Sequence, residues 1–285
     1  GLGDVYKRQE PGMTIFRCPN CGGPLAREPH RLACPAGHSF DLAKSGYVNL
    51  LLSHGAGPKH HGDDKRMVKA RSTFLQKGHY APMRQELLRQ GLAAASENMV
   101  VLDAGCGEGY YTAALAELLR QQGLCPHVAG IDISKEALQE AAKRDRQSEY
   151  AVASCFHLPV GDGSVDLLLS VFAPYCGDEF LRVLCPGGSF LMVIPLENHL
   201  YGLKQAIYEK PYRNEVKPYD LPGFRLEECR ELRYQITLHG QEEIESLFMM
   251  TPYYYKTGAA DQQKLLTKTT LTTPAEFAVL RYKKI

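Results

Sequence analysis

Apolar and polar positions change rhythm three times along this chain of 285 residues. Between residues 14 and 58 no period holds. Strand-like pieces such as Thr14-Ile15-Phe16-Arg17, Phe40-Asp41 and Gly46-Tyr47-Val48-Asn49-Leu50 alternate with glycine- and proline-bearing turns, a loop-rich stretch too short to bury an adequate core without a staple. From Asp63 to about Ala95 the spacing turns helical, with Met67, Ala70, Phe74 and Leu75, then Met83, Leu87 and Leu88, interrupted near Gly78 and Pro82. From Met99 apolar runs alternate with helical stretches. Strands are predicted at 99–102, 127–133, 150–153, 165–171, 189–194 and 277–282, and helices at 110–122, 135–144, 178–184, 200–210 and 242–250. Strand and helix in turn imply parallel strands joined by right-handed crossovers, a doubly wound α/β sheet whose ligand crevice lies beyond the strand carboxyl ends.

These shifts divide the chain into residues 1–12, 13–58, 59–97 and 98–285. The first stretch leads into nothing and reads as a non-native leader, with Met13 as the natural start. The second is a small metal-stapled module, the third a helical linker, and the fourth the α/β domain. A hydrophobic content of 44% supplies a core for such a domain. No apolar run approaches the ~18–20 residues that span a bilayer and no secretory signal pattern precedes the cysteines, so a soluble, cytoplasmic protein is expected. Charge is unevenly placed. Twelve lysines and arginines face five acids over residues 13–90, a net +7, and nineteen face twenty-five over 91–285, a net −6. A basic amino-terminal third is expected of a surface that meets phosphates.

Nine cysteines, an odd number, suit a reducing compartment better than a disulfide framework. Four potential ligands fall at metal spacing: Cys18 and Cys21 in one Cys-x2-Cys knuckle, Cys34 and His38 in a second. Zinc takes such thiolate and imidazole ligands tetrahedrally, and four protein ligands leave no open position, so a structural Zn2+ is expected. The off-spacing His30, His54, His60 and His61 read as surface residues, and Cys106, Cys125, Cys155, Cys176, Cys185 and Cys229 as ordinary buried thiols.

The second chemical signal is Val101-Leu102-Asp103-Ala104-Gly105-Cys106-Gly107-Glu108-Gly109, a strand running into a glycine loop over which a ligand can lie close to the backbone. Asp103 precedes the loop, and Asp132 ends the next strand, where a carboxylate accepts the ribose hydroxyls of an adenosine. The combination resembles a class I S-adenosylmethionine-dependent methyltransferase, a Rossmann-like fold, more than a dinucleotide site.

The zinc quartet, the run Phe40 to Leu51, the segment Ala70-Arg71 to Gly78-His79-Tyr80, and Gly105 to Thr112 together resemble the 23S ribosomal RNA guanine-N1 methyltransferases of the RlmA/TlrB type, from about residue 16 to the end. The resemblance implies methyl transfer to N1 of a guanine in a hairpin loop of 23S ribosomal RNA. It places cofactor contacts on Tyr80, Tyr111, Thr112 and His199, although Tyr80 also reads as a helix-cap aromatic and His199 as a surface imidazole. Two departures matter. Ser154 stands where many class I enzymes carry an acid near the adenine, and Ala173-Pro174-Tyr175 replaces the Asn/Asp-Pro-Pro-aromatic box of amine-methylating enzymes.

Guanine N1 carries a proton at neutral pH, so the reaction needs a base within reach. His199, Asp178 and Glu179 are the candidates, and Tyr175, Tyr253, Tyr254 and Tyr255 are candidate stacking surfaces for a looped-out base. A homodimer whose zinc modules line a shared cleft would fill a larger RNA surface. Two other readings remain open at this point: a methyltransferase for a small molecule, and a non-catalytic zinc-ribbon RNA-binding protein that keeps the fold as a scaffold.

Overall fold

The computed structural model describes residues 12–52 and 62–285. The expected leader, Gly12 apart, and His54, His60 and His61 lie outside the described residues.

A four-stranded antiparallel meander comes first: β1 (Met13–Arg17), β2 (Pro24–Arg27), β3 (Arg31–Ala33) and β4 (Ser39–Asp41). The next strand, β5 (Val48–Asn49), leaves this meander and becomes the edge of the large sheet. Two helices follow, α1 (Lys65–Gln76) and α2 (Ala81–Ala93). They part at Gly78, whose φ of 82° suits a residue without a β-carbon. Asp64 caps α1 by accepting from the Met67 N–H at 2.9 Å.

The remaining chain alternates β6 (Val100–Ala104), α3 (Tyr110–Gln121), β7 (His127–Asp132), α4 (Lys135–Arg144), β8 (Glu149–Val152), β9 (Val165–Val171), α5 (Gly177–Val183), β10 (Leu184–Pro195) and α6 (Tyr201–Ile207). It ends with β11 (Phe224–His239), α7 (Gln241–Met249), a short α8 (Ala259–Gln263) and β12 (Thr270–Lys284). The eight strands lie in the order β11-β12-β10-β9-β6-β7-β8-β5. Strands β9, β6, β7, β8 and β5 run parallel to their neighbours, whereas β12 is antiparallel to both β10 and β11.

Four features differ from the sequence expectation. Strand β11, sixteen residues long, had no predicted counterpart. Strand β12 starts at Thr270 and not at 277, and the helix expected over 200–210 is confined to Tyr201–Ile207. Of the six thiols read as buried, Cys106 and Cys176 are buried, Cys155 and Cys185 are partly covered, and Cys125 and Cys229 are exposed.

Each face of the sheet carries its own core. Met83, Leu87, Leu115, Leu119 and Phe277 pack between one face and helices α2 and α3. On the other face Phe180 and Phe190 share a cluster with Phe16, Leu25 and Leu32 of the meander. The meander is therefore docked on the sheet. Phe16 bridges Val160, the Arg17 N–H donates to the Pro159 carbonyl at 2.7 Å, and the Leu50 N–H donates to Val152 at 2.9 Å, extending the β5–β8 pairing.

Because Phe16 is 1% exposed and lies in the core shared by meander and sheet, Phe16→Ala is expected to destabilise the protein by about 3–5 kcal/mol. Urea unfolding followed by circular dichroism and by metal release checks this: both signals shift together to lower urea. A loss of meander structure that leaves the sheet transition in place would show the two to be uncoupled.

Candidate functional site

The two knuckles are built by tight turns. The Gly22 N–H donates to the Cys18 carbonyl at 2.7 Å and the Gly37 N–H to the Cys34 carbonyl at 3.0 Å, with Gly22 and Gly37 at φ 70° and 87°. These turns aim Cys18, Cys21, Cys34 and His38 at one point, with all ligand atoms within 4.8 Å of one another. The Cys21 and Cys34 sulfurs are 3.7 Å apart, and His38 Nδ1 lies 3.3 Å from Cys34 Sγ and 3.6 Å from Cys18 Sγ. Zn–S bonds of ~2.3 Å and Zn–N bonds of ~2.0 Å give tetrahedron edges of about 3.8 Å between sulfurs and about 3.5 Å between sulfur and nitrogen. The four atoms thus have the size and chemistry of a closed zinc shell, with Nδ1 as the imidazole ligand.

The second site is a cavity of about 340 Å³ over the carboxyl ends of β9, β6, β7 and β8, within the ~300–1,000 Å³ of small-molecule sites. Its floor is the glycine loop. The Gly105 and Cys106 N–H groups both donate to the Ile131 carbonyl at 2.9 Å. A β-carbon on Gly105, at φ 94°, would stand 2.6 Å from Ala173 Cβ, so only glycine lets the loop close against the segment after β9.

Asp132 ties this loop to its surroundings. Its Oδ2 accepts from the Gly107 N–H at 3.0 Å and its Oδ1 from the Ser134 N–H at 2.9 Å. Burial pushes this carboxyl up, against the pull of the two N–H donors. Each oxygen retains a lone pair for a hydroxyl in the cavity. Two further carboxylates line the space, Asp63 and Glu108, with Arg71 among them. Arg71 is ion-paired with Asp63, and its charge partly offsets the burial that raises Glu108.

Asp103 is buried beneath. Thr112 Oγ1 donates to its Oδ2 at 2.6 Å, while Oδ1 has no partner, and burial pushes the carboxyl up to about 7. Tyr80 and Tyr111 line the cavity, Tyr80 with its hydroxyl 3.1 Å from His199 Nε2. The Glu276 N–H donates to His199 Nδ1 at 3.1 Å. That nitrogen is therefore the unprotonated one, the ring hydrogen sits on Nε2 and donates to Tyr80, and the Tyr80 hydrogen remains for the cavity. Burial holds His199 neutral, with its pKa pulled down to about 3.

Of the cofactor candidates, Tyr80, Gly105, Gly107, Tyr111, Asp132 and Ser154 line the cavity, whereas Asp103, Thr112 and His199 lie behind that layer. Ser154 Oγ accepts from the Phe156 N–H at 3.2 Å, which leaves its hydroxyl hydrogen to donate. None of the three base candidates lines the cavity. His199 has both nitrogens committed. Glu179 is held below the usual carboxylate range by Arg182 and by the Leu158 N–H, and Asp178 sits on the first turn of α5. The four candidate tyrosines are absent from the lining too: Tyr175 packs on Phe180 and Phe190, Tyr253 is buried, Tyr254 packs on Phe248, and Tyr255 binds Asp64. Besides Tyr80 and Tyr111, the aromatic side chains that line the cavity are Phe156, 59% exposed, and Phe172, 43% exposed. Phe172 has φ 53°, a left-handed conformation that costs a non-glycine residue about 1–3 kcal/mol. Nothing in the apolar rhythm separates these two phenylalanines from core residues.

The family model described as "Methyltransferase domain" matches residues 95–247, and the one described as "RlmA, N-terminal" matches residues 16–54. The 23S rRNA (guanine(748)-N(1))-methyltransferase of Streptomyces fradiae is 39% identical over 200 residues, 68% of each chain. A protein of Micromonospora griseorubida, provisionally named 23S rRNA (guanine-N(1)-)-methyltransferase, is 40% identical over 67% of this chain and 69% of that one. A Bacillus subtilis protein with the same provisional name is 31% identical over 84% of this chain and 86% of that one. The chain belongs to the 23S rRNA (guanine-N1)-methyltransferase family.

For this 23S rRNA (guanine-N1)-methyltransferase family member two outcomes follow from the geometry. Purified protein is expected to carry one zinc per chain by metal analysis. Cys34→Ser, which removes a buried ligand, is expected to lose that zinc and to lower the melting temperature. The second concerns Asp103. Its folded pKa of about 7 lies above its unfolded value near 3.8, so the folded state holds the proton more tightly and stability falls as pH rises from about 5 toward 7. Asp103→Asn is expected to flatten this part of the profile in thermal melts of zinc-loaded protein. Superimposable slopes for the two proteins would show that Asp103 is not the group responsible.

Proposed function

We infer that the protein transfers a methyl group from S-adenosylmethionine to N1 of a guanine in a hairpin loop of 23S ribosomal RNA. One observation carries this reading: a closed Cys3His cluster and a glycine-loop cavity sit on a single packed body in a chain of this family. The cavity fits the cofactor's nucleoside. Asp132 offers two oxygens with free lone pairs, and the glycine loop presents bare backbone. Asp132 is assigned to the ribose, Ser154 to the adenine end, and Tyr80 and Tyr111 with Gly105 and Gly107 to the remainder. Asp103, Thr112 and His199 act through their neighbours, Thr112 by fixing Asp103 and His199 by orienting the Tyr80 hydroxyl.

When bound, the sulfonium supplies an electrophilic methyl group and departs as the neutral thioether, and the guanine N1 proton is released to solvent water, so the protein's share of the work is alignment. Leu75, Val171 and Met250 give the cavity apolar walls. Ala173-Pro174 next to Phe172 brings no amide or acidic side chain to the acceptor end, which suits a ring nitrogen better than an exocyclic amine. The basic amino-terminal third holds the RNA through phosphates. A homodimer with its zinc modules along one cleft would enlarge that surface, and sedimentation of the protein with and without RNA tests it. No helix among the described residues is long and apolar enough to cross a membrane, consistent with work on ribosomal RNA in the cytoplasm.

Primer extension tests the reading. Unmethylated 23S ribosomal RNA incubated with protein and cofactor is expected to gain one strong stop, because a methyl on N1 blocks base pairing. Methyl transfer to small molecules with no new stop on the RNA would favour the small-molecule enzyme, and cofactor binding with no transfer at all the RNA-binding scaffold.

A further inference from the structure

The cavity spans four neighbouring strand ends, and its chemistry is divided along them. Asp132 ends β7, and Ser154 follows β8. On the opposite side of the glycine loop, beyond β9, the lining changes to Val171, Phe172, Ala173 and Pro174. The Gly105–Ala173 contact places this segment directly against the loop. A nucleoside held at Asp132 and Ser154 therefore leaves the β9 end for the acceptor.

Phe172 is the side chain that this end presents. It combines an open face with a backing that fixes its plane. Its N–H donates to the Val193 carbonyl at 3.2 Å, and its left-handed backbone turns the chain out of β9. The ring stacks on His199, with centroids 6.2 Å apart and planes at 15°, and contacts Phe277 at 5.7 Å. His199 is held in turn by the Glu276 N–H on one nitrogen and Tyr80 on the other. A rigid aromatic face beside the methyl-donor loop, opposite the polar nucleoside end, has the shape and polarity to bind one unstacked purine.

We propose that Phe172 is the platform on which the acceptor guanine stacks, with His199 as the positioning residue that holds its ring. The assignment rests on the RNA-methylating function inferred above, and gives that site its acceptor contact. The strained backbone is explained by it, since the conformation sets the ring at the mouth of the cavity and not in the core.

The chain contains no tryptophan, so Phe172→Trp creates a single fluorescent reporter at this position. With S-adenosylhomocysteine present to prevent turnover, its emission is expected to be quenched by an RNA hairpin carrying the target guanine. An abasic site at that nucleotide is expected to abolish the quenching. Phe172→Gly, which accepts the left-handed backbone, is expected to bind the cofactor as the parent protein does, with kcat/KM for RNA lowered about 10- to 100-fold, the range for one lost base–aromatic stack. Wild-type kcat/KM in Phe172→Gly overturns the proposal while leaving the RNA-methylating reading intact. So does unquenched emission from Phe172→Trp saturated with RNA that it methylates. Loss of cofactor binding in Phe172→Gly moves the ring into the donor pocket and also overturns the proposal. A parent protein that binds cofactor and leaves the RNA unmethylated overturns the functional reading and this proposal with it.

Discussion

The carboxylate of Asp132 holds together the three parts on which the cavity depends. One oxygen takes the Gly107 N–H of the loop after β6, the other takes the Ser134 N–H at the start of α4, and the residue itself ends β7. A carboxylate with two backbone donors is a strong and directional anchor. It fixes the glycine loop relative to its neighbour strand without any side chain entering the space above. The price is burial of a charge near Asp63 and Asp103, and Arg71, beside Asp63, Glu108 and Asp132, is the partial offset. Glycine at 105 completes the arrangement, because a β-carbon there would displace Ala173 and open the gap between the loop and the β9 end.

The zinc-bearing meander is tied to that same frame. A module of this size has too little apolar surface to be stable alone, and it has two remedies here. Four ligand atoms converge at tetrahedral spacing, and Phe16, Leu25, Leu32, Val48 and Leu50 enter the core of the large sheet. Strand β5 adds to the edge formed by β8, the strand whose end leads to Ser154. The metal centre and the cavity thus belong to one body.

Much of this was legible in the sequence. Continuous apolar runs such as Val100-Val101-Leu102 mark parallel strands buried on both faces, the ligand spacing marks the metal cluster, and the acid after the second run marks Asp132. Strand β11 was hidden for a physical reason. Arg225, Glu227, Glu228, Arg230, Glu231 and Arg233 crowd its length, and a bulge between Leu226 and Glu228 shifts its alternation. It is an edge strand, where charge protects against pairing with other chains. Strand β5 is two residues long and gains its identity from β8. The resemblance named Thr112 and His199, but not that they lie behind the cavity lining, where His199 reaches it through Tyr80 and Phe172 and Thr112 holds the buried Asp103. Phe172 is exposed because of a backbone angle that no pattern of residue types encodes.

Isothermal titration of the zinc-loaded protein with S-adenosylmethionine, set beside Asp132→Ala, measures what the Asp132 anchor contributes to the cofactor site. One binding site per chain is expected in the parent protein. Affinity is expected to be about 10- to 100-fold weaker in the variant, the range for hydrogen bonds to a charged acceptor worth about 1.5–3 kcal/mol. Equal affinity in the two proteins, or no binding to either, would contradict a cofactor site organised by Asp132.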